Sequence, residues 1–74
     1  MRKYIICWRN KWSGDEGFVK QIRQSSGYFI NTFDKEEARR YRTSNEAQKA
    51  IDVLMSYGEG QNNDFFVVSV WKLQ

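Results

Sequence analysis

Three arginines around one tyrosine are the densest group of potential binding side chains in this sequence. Arg39, Arg40, Tyr41 and Arg42 together form the arginine segment, residues 39–42. A guanidinium group is planar and permanently charged, so it can bind a phosphate or a carboxylate through two parallel hydrogen bonds. With Lys20 and Arg23, which lie on a predicted strand, the arginine segment predicts a basic binding surface.

The arginine segment also fits a purely structural interpretation. Glu36 and Arg40 have the i, i+4 spacing of an ordinary ion pair on a helix surface. A run of charged residues commonly forms a solvated face rather than a binding site. The sequence leaves both interpretations open.

A tryptophan at a predicted hairpin tip is the second candidate. Trp12 lies among the polar residues of the connection 10–16. Such a side chain can stack on a nucleic-acid base or anchor a protein interface, where Trp and Arg contribute most of the binding energy. The alternative is that Trp12 packs over the sheet edge and completes a small core.

The sequence contains few side chains that could catalyse a reaction or bind a metal ion. The chain has no histidine and one cysteine, Cys7, so the commonest general base and a single-chain zinc site are both missing. The pairs Asp15-Glu16 and Glu36-Glu37 are sequence neighbours, and such neighbours rarely face one substrate. We therefore expect no enzyme, no cofactor and no metal site.

Length and composition predict one small domain over residues 1–74. The net charge of +3 and the pI of about 9.2 are compatible with a polyanionic partner without requiring one. A lone cysteine suits a reducing compartment, and no apolar run approaches the ~20 residues that cross a bilayer. We expect a cytoplasmic protein without a membrane partner.

Four segments have the spacing of β-strands. Residues 3–9 are apolar on both alternating faces, which favours a central strand, and residues 65–73 form a final strand that is again apolar on both sides. Residues 18–24 and 28–33 flank a turn signal at residues 25–27 and predict a hairpin.

Two capping-box patterns mark helix starts, at Asp34 with Glu37 and at Thr43 with Glu46. The first predicts a short helical turn over residues 35–41, with Ala38 and Tyr41 on one face. The second predicts that the main helix begins at Thr43 or Ser44. The core positions of that helix have i, i+3, i+4, i+7 spacing, and a glycine follows as its C-terminal cap: Ala47, Ala50, Ile51, Leu54 and Gly58.

The predicted fold is α+β, in the order β-β-β-α-β, with a mostly antiparallel four-stranded sheet packed on one helix. We expect the last strand to lie beside the first and parallel to it, through a right-handed crossover. One sheet face would then lack a helix.

The middle of the chain resembles a pattern found in short uncharacterised proteins of phages and prophages. There a strand runs into T-x-D-x-x-x-A-x-x-F/Y-x-T-x-x-E-A, followed by a helix and a closing strand. The matching residues here are Thr32, Asp34, Ala38, Tyr41, Thr43, Glu46 and Ala47. The resemblance implies host takeover or counter-defence by binding, in the cytoplasm of the host cell.

The three strands and the helix start are also similar to the DNA-binding modules of phage-type integrases. Those modules lay a three-stranded sheet in the major groove, and Lys20, Arg23 and Asn31 are residues of the matching kind. The apolar fourth strand departs from that family.

These observations lead to one hypothesis and two alternatives. The first is a non-enzymatic binding protein that modulates a host protein or protein complex through Trp12, Arg39, Arg40 and Arg42. The second is a nucleic-acid-binding module that uses Lys20, Arg23 and the arginine segment. The third is a structural module whose apolar strand face is buried in a homodimer.

Overall fold

A four-stranded sheet and one α-helix make up the computed structural model, which describes residues 2–23 and 28–71. The strands are β1 (Arg2–Asn10), β2 (Glu16–Arg23), β3 (Tyr28–Thr32) and β4 (Asn63–Trp71), and the helix is α1 (Ser44–Ser56). Two short 3₁₀ helices span Lys35–Glu37 and Glu59–Gln61. The α+β class and the four strand positions are confirmed, while the predicted turn at 25–27 and the predicted strand end at 72–73 lie outside the described residues.

The sheet order is β3-β2-β1-β4, and every neighbouring pair is antiparallel. The expected position of the last strand beside β1 is confirmed, but its expected parallel direction is wrong. β4 runs antiparallel to β1, from Asn63 opposite Asn10 to Trp71 opposite Arg2. The expectation assumed that the chain between β3 and α1 stays at one end of the sheet, whereas residues 33–43 carry it towards the beginning of β1, where Tyr41 pairs with Tyr4.

This connecting segment fills a gap between β1 and β2. The two strands pair only from Cys7 opposite Phe18 to Arg9 opposite Glu16. Beyond that point the Arg39 N–H donates to the Val19 carbonyl oxygen at 3.1 Å, and Tyr41 exchanges two backbone hydrogen bonds with Tyr4, at 2.7 and 3.0 Å. The segment therefore supplies backbone partners that buried strand groups would otherwise lack.

The connecting segment also passes from one face of the sheet to the other. Ala38 is buried with Ile5 and Val70 on one face. Tyr41 packs against the cluster on the opposite face, which contains Ile6. The predicted helical turn over 35–41 is thus wrong beyond Glu37, because Ala38 is extended (φ −64°, ψ 141°) and does not share a face with Tyr41.

The larger core lies between the sheet and α1. Its buried members are Ile6, Trp8, Val19, Ala47, Ile51 and Leu54, with Ala50 packed against them. The apolar stripe predicted for the main helix is therefore confirmed. The smaller cluster of Ile5, Ala38, Val70 and Phe18 covers part of the second face.

Both predicted ends of α1 are confirmed. Thr43 is the N-cap, and its side-chain oxygen accepts a hydrogen bond from the Glu46 N–H at 3.1 Å. Gly58 follows the last turn with φ +89°, a conformation that glycine adopts without a steric penalty. Neither α1 nor either of the two 3₁₀ helices in the described ranges is long and apolar enough to cross a membrane.

Candidate functional site

The arginine segment forms no helix or strand of its own, and its backbone is held by the Arg39 bond to Val19 and by the isolated bridge between Tyr41 and Tyr4. Arg39 and Arg42 are exposed. The Arg39 guanidinium carbon lies 5.4 Å from the centre of the Tyr41 ring, within the range of a cation–π contact. A cleft of about 140 Å³, lined by Ile22, Arg39, Tyr41 and Ala50, lies beside this pair.

Arg40 differs from the other two arginines because it is already paired. One of its terminal nitrogens, Nη2, lies 3.3 Å from Glu36 Oε1, and its side chain is only 25% exposed. Its other terminal nitrogen, Nη1, is buried and has no hydrogen-bond partner in the described part of the chain. The i, i+4 pair predicted as the structural interpretation is therefore present, and it accounts for Arg40 alone.

The two basic residues of β2 lie in different surroundings. Lys20 Nζ lies 3.9 Å from Glu37 Oε1, and Glu37 also accepts a hydrogen bond from the Thr32 hydroxyl at 2.9 Å. Arg23 is exposed at the end of β2, next to Ile22, which lines the cleft beside Arg39. Because successive strand residues point to opposite faces, the Arg23 side chain lies on the face away from the cleft that Ile22 lines, while Lys20 is tied to the connecting segment.

The sheet does not present Lys20, Arg23 and Asn31 as one reading surface. Asn31 is the cross-strand partner of Val19, which is buried in the core against α1. Lys20 faces Glu37 and Thr32, and Thr32 is the partner of Phe18 from the second face. Asn31 and Lys20 therefore lie on opposite sides of the sheet.

Trp12 is 79% exposed and does not pack over the sheet edge. The Asn10 side-chain oxygen accepts the N–H groups of Trp12 and Ser13 at 2.9 Å each, which fixes the turn. The indole Nε1 donates to the Asn62 side-chain oxygen at 3.4 Å. This turn lies where β1 ends and the arginine segment lies where β1 begins, so Trp12 is not part of the same surface.

Sequence reasoning missed a second cation–aromatic pair near the beginning of β1. Arg2 lies over the Trp71 ring at 4.6 Å from its centre, and the two residues are partners in the β1–β4 ladder. Trp71 is 62% exposed. Only the antiparallel register of the first and last strands could have revealed this pair, and the predicted parallel direction concealed it.

Cys7 has surroundings that do not activate a thiol. Burial, followed by the negative charge of Glu16, raises its pKa above the ordinary value of 9.0, and Lys35 partly opposes this effect. A raised pKa keeps the thiol protonated and weakly nucleophilic. Within residues 2–23 and 28–71, no three His, Cys, Asp or Glu side chains are grouped so that they could hold a metal ion.

Comparison with known proteins gives no further assignment, since no protein family, curated protein or solved structure matches this chain.

Proposed function

We propose that this protein acts without catalysis and binds an acidic surface of a host protein through Arg39 and Arg42. The observation that carries the proposal is the difference among the arginines. Arg39 and Arg42 are exposed, and neither forms a salt bridge with a residue in the described ranges, whereas Arg40 is paired with Glu36. Two uncompensated guanidinium groups on one short segment suit bidentate binding of carboxylates.

The rigidity of the segment supports a binding role. Its backbone is fixed by hydrogen bonds to both neighbouring strands. A segment that is already ordered loses less conformational entropy when it binds a partner, so more of the contact energy appears as affinity.

The cleft beside Arg39 favours a protein as the partner. Ile22 and Ala50 contribute apolar atoms to this cleft, whose exposed lining is otherwise mainly polar, so an apolar side chain of the partner can contact these two residues next to the carboxylate that Arg39 would bind. Protein interfaces combine such anchors with arginine contacts. The resemblance to phage proteins supports a host protein as the source of that surface.

The raised pKa of Cys7 supports the non-catalytic part of the proposal. A nucleophilic cysteine needs a lowered pKa or an adjacent base. The groups that raise the pKa of Cys7 are its buried surroundings and a carboxylate, and both stabilise the protonated thiol.

A comparison of two double variants tests the proposal. Arg39→Ala with Arg42→Ala should reduce capture of the partner from host lysate about tenfold or more, because interface arginines commonly contribute over 1 kcal/mol each. Arg9→Ala with Lys49→Ala removes the same charge from exposed positions elsewhere and should leave capture unchanged. Equal losses in the two variants would show that binding follows net charge rather than this segment.

Nucleic acid is the second candidate, and the Arg39–Tyr41 contact favours it. An aromatic ring beside an arginine can stack on a base while the guanidinium binds a phosphate. An electrophoretic shift at low salt should then weaken steeply as salt increases. The Arg39→Ala, Arg42→Ala variant should reduce the salt slope by about 1 for each phosphate that it no longer binds. Absence of any shift at low salt would exclude this candidate.

A further inference from the structure

β4 is an edge strand with an exposed row of backbone hydrogen-bonding groups. In an antiparallel ladder, successive residues direct their N–H and C=O groups to alternate sides. Tyr4 directs its groups to Tyr41, away from β4, so its partner Ser69 directs its own groups to the free edge. The same alternation places the groups of Phe65 and Val67 at that edge.

The β4 edge lacks the features that usually prevent edge pairing. Soluble proteins protect an edge with a short strand, a proline, a lysine or a bulge. β4 has 9 residues, contains Asp64 as its single charged side chain, and pairs with β1 without a register shift. Phe66 and Val68 on its second face are 47% and 38% exposed.

We propose that β4 pairs with β4 of a second copy of this chain, antiparallel about a two-fold axis at Val67. This register places Val67 opposite its own copy, Phe65 opposite Ser69, and Phe66 opposite Val68. Every outward backbone group of these residues then meets a donor or an acceptor. The exposed Phe66 and Val68 side chains of the two copies adjoin on the same face and cover one another.

A cleft at the same edge accepts a side chain of the second copy. The cleft has a volume of about 370 Å³ and lies between α1 and the start of β4, with Ile51, Met55 and Asn63 in its lining. The two-fold register sets Trp71 of the second copy opposite Asn63. An exposed indole therefore lies at the mouth of a cleft with an apolar floor.

Charge complementarity favours a second copy over an unrelated strand. Arg2 stacks on Trp71, so Trp71 brings a guanidinium group with it. Asp52, Asp64 and Lys11 line the cleft that this indole would enter, and because Lys11 pairs with Asp64 at 3.7 Å, Asp52 is the carboxylate available to the incoming guanidinium group. The two-fold axis repeats this contact, so each copy supplies one tryptophan with its arginine and one cleft.

The dimer does not rest on the proposed function. The arginine segment lies between β1 and β2, on the side of β1 away from β4. A dimer paired through β4 leaves the arginine segment of each copy exposed.

Sedimentation equilibrium of the full chain and its variants tests the dimer. Ser69→Pro removes an outward N–H while leaving the bonds between β4 and β1 intact, since proline is tolerated at the free side of an edge strand. We expect a dimer for the wild type and for Ser69→Ala, and a folded monomer for Ser69→Pro. Trp71→Ala should weaken dimerisation about tenfold or more, as expected for an interface tryptophan.

Amide hydrogen exchange on the wild type gives a readout that needs no variant. Protection at Phe65, Val67 and Ser69 should increase with protein concentration, whereas Phe66 and Val68, which bond to β1, should be protected at every concentration. A monomer at all concentrations, exchange at the three edge amides that does not depend on concentration, or an assembly unaffected by a folded Ser69→Pro variant would each overturn the proposal.

Discussion

Arg39, Arg40 and Arg42 have the same side chain but different surroundings. The Arg40 side chain is partly buried and pairs with the exposed Glu36 carboxylate, while Arg39 lies against the Tyr41 ring and Arg42 is exposed. Arg39 and Arg40 therefore do not form one continuous strip, because Arg40 is engaged by Glu36 and Arg39 lies against Tyr41. The sequence identified these three arginines as candidates. Their different surroundings follow from the passage of the segment between two strands, which the sequence did not predict.

The partly buried Tyr41 hydroxyl is expected to lower the stability of the fold at alkaline pH. Burial raises its pKa above the ordinary value of 10.0, with the Arg39 charge opposing part of the effect, and the pKa of Cys7 is raised above 9.0 in the same direction. Above these ordinary values the unfolded chain releases protons that the native chain retains. The free energy of unfolding is therefore unaffected by these groups at lower pH and decreases as pH rises through their native pKa values.

Chemical denaturation from neutral pH to above pH 10.0 measures this effect. Tyr41→Phe should make the alkaline decrease shallower, and Tyr57→Phe, which alters an exposed ring, should not. An unchanged alkaline slope in Tyr41→Phe would contradict the assignment to Tyr41.

The two predicted capping boxes differ in the hydrogen bonds that their side chains form at the helix starts. At the second, Thr43 accepts the Glu46 N–H, and the Glu46 carboxylate accepts the Arg42 N–H at 3.2 Å, one residue earlier than a standard box. At the first, Asp34 accepts the Glu36 N–H at 2.9 Å, but Glu37 binds the Thr32 hydroxyl instead of reaching back. The residue spacing predicted where both helices begin, whereas the length of each helix depended on hydrogen-bond partners from other strands.

Thr43→Ala should lower the free energy of unfolding by roughly 0.5–2 kcal/mol, because it removes the acceptor for an N-terminal amide of α1. This loss is measurable in a domain whose total stability is on the order of 5–15 kcal/mol. Ser44→Ala, one residue inside the helix, is the matched control and should have a smaller effect in thermal or urea unfolding. A larger loss for Ser44→Ala would show that the helix begins one residue later.

For the molecule as a whole, hydrophobic periodicity was sufficient for the class, the strands and the buried face of α1. Periodicity does not encode strand direction, and the direction of β4 was predicted wrongly. That direction depends on the pairing of Tyr41 with Tyr4, a long-range contact between an extended segment and the middle of the sheet. The same contact determines where the arginines lie, so the composition of the candidate site could be predicted and its geometry could not.

The whole-molecule arrangement also separates the candidate residues into two groups. Trp12 lies with the turn that follows β1, and its indole bonds to Asn62 before β4. The arginine segment lies along the beginning of β1, near the start of α1. A partner bound to the arginine segment should therefore lie within reach of a crosslinker at Ser44 and out of reach of one at the far end of α1.

Site-specific photocrosslinking tests this central claim most directly. A photoreactive amino acid replaces Ser44 in one variant and Ser56 in another, so that two exposed positions roughly 18 Å apart along α1 are compared. The account predicts a covalent adduct with a host protein from position 44, its loss when Arg39→Ala and Arg42→Ala are added, and no adduct from position 56. An adduct from position 56 alone, or one from position 44 that persists without both arginines, would contradict it.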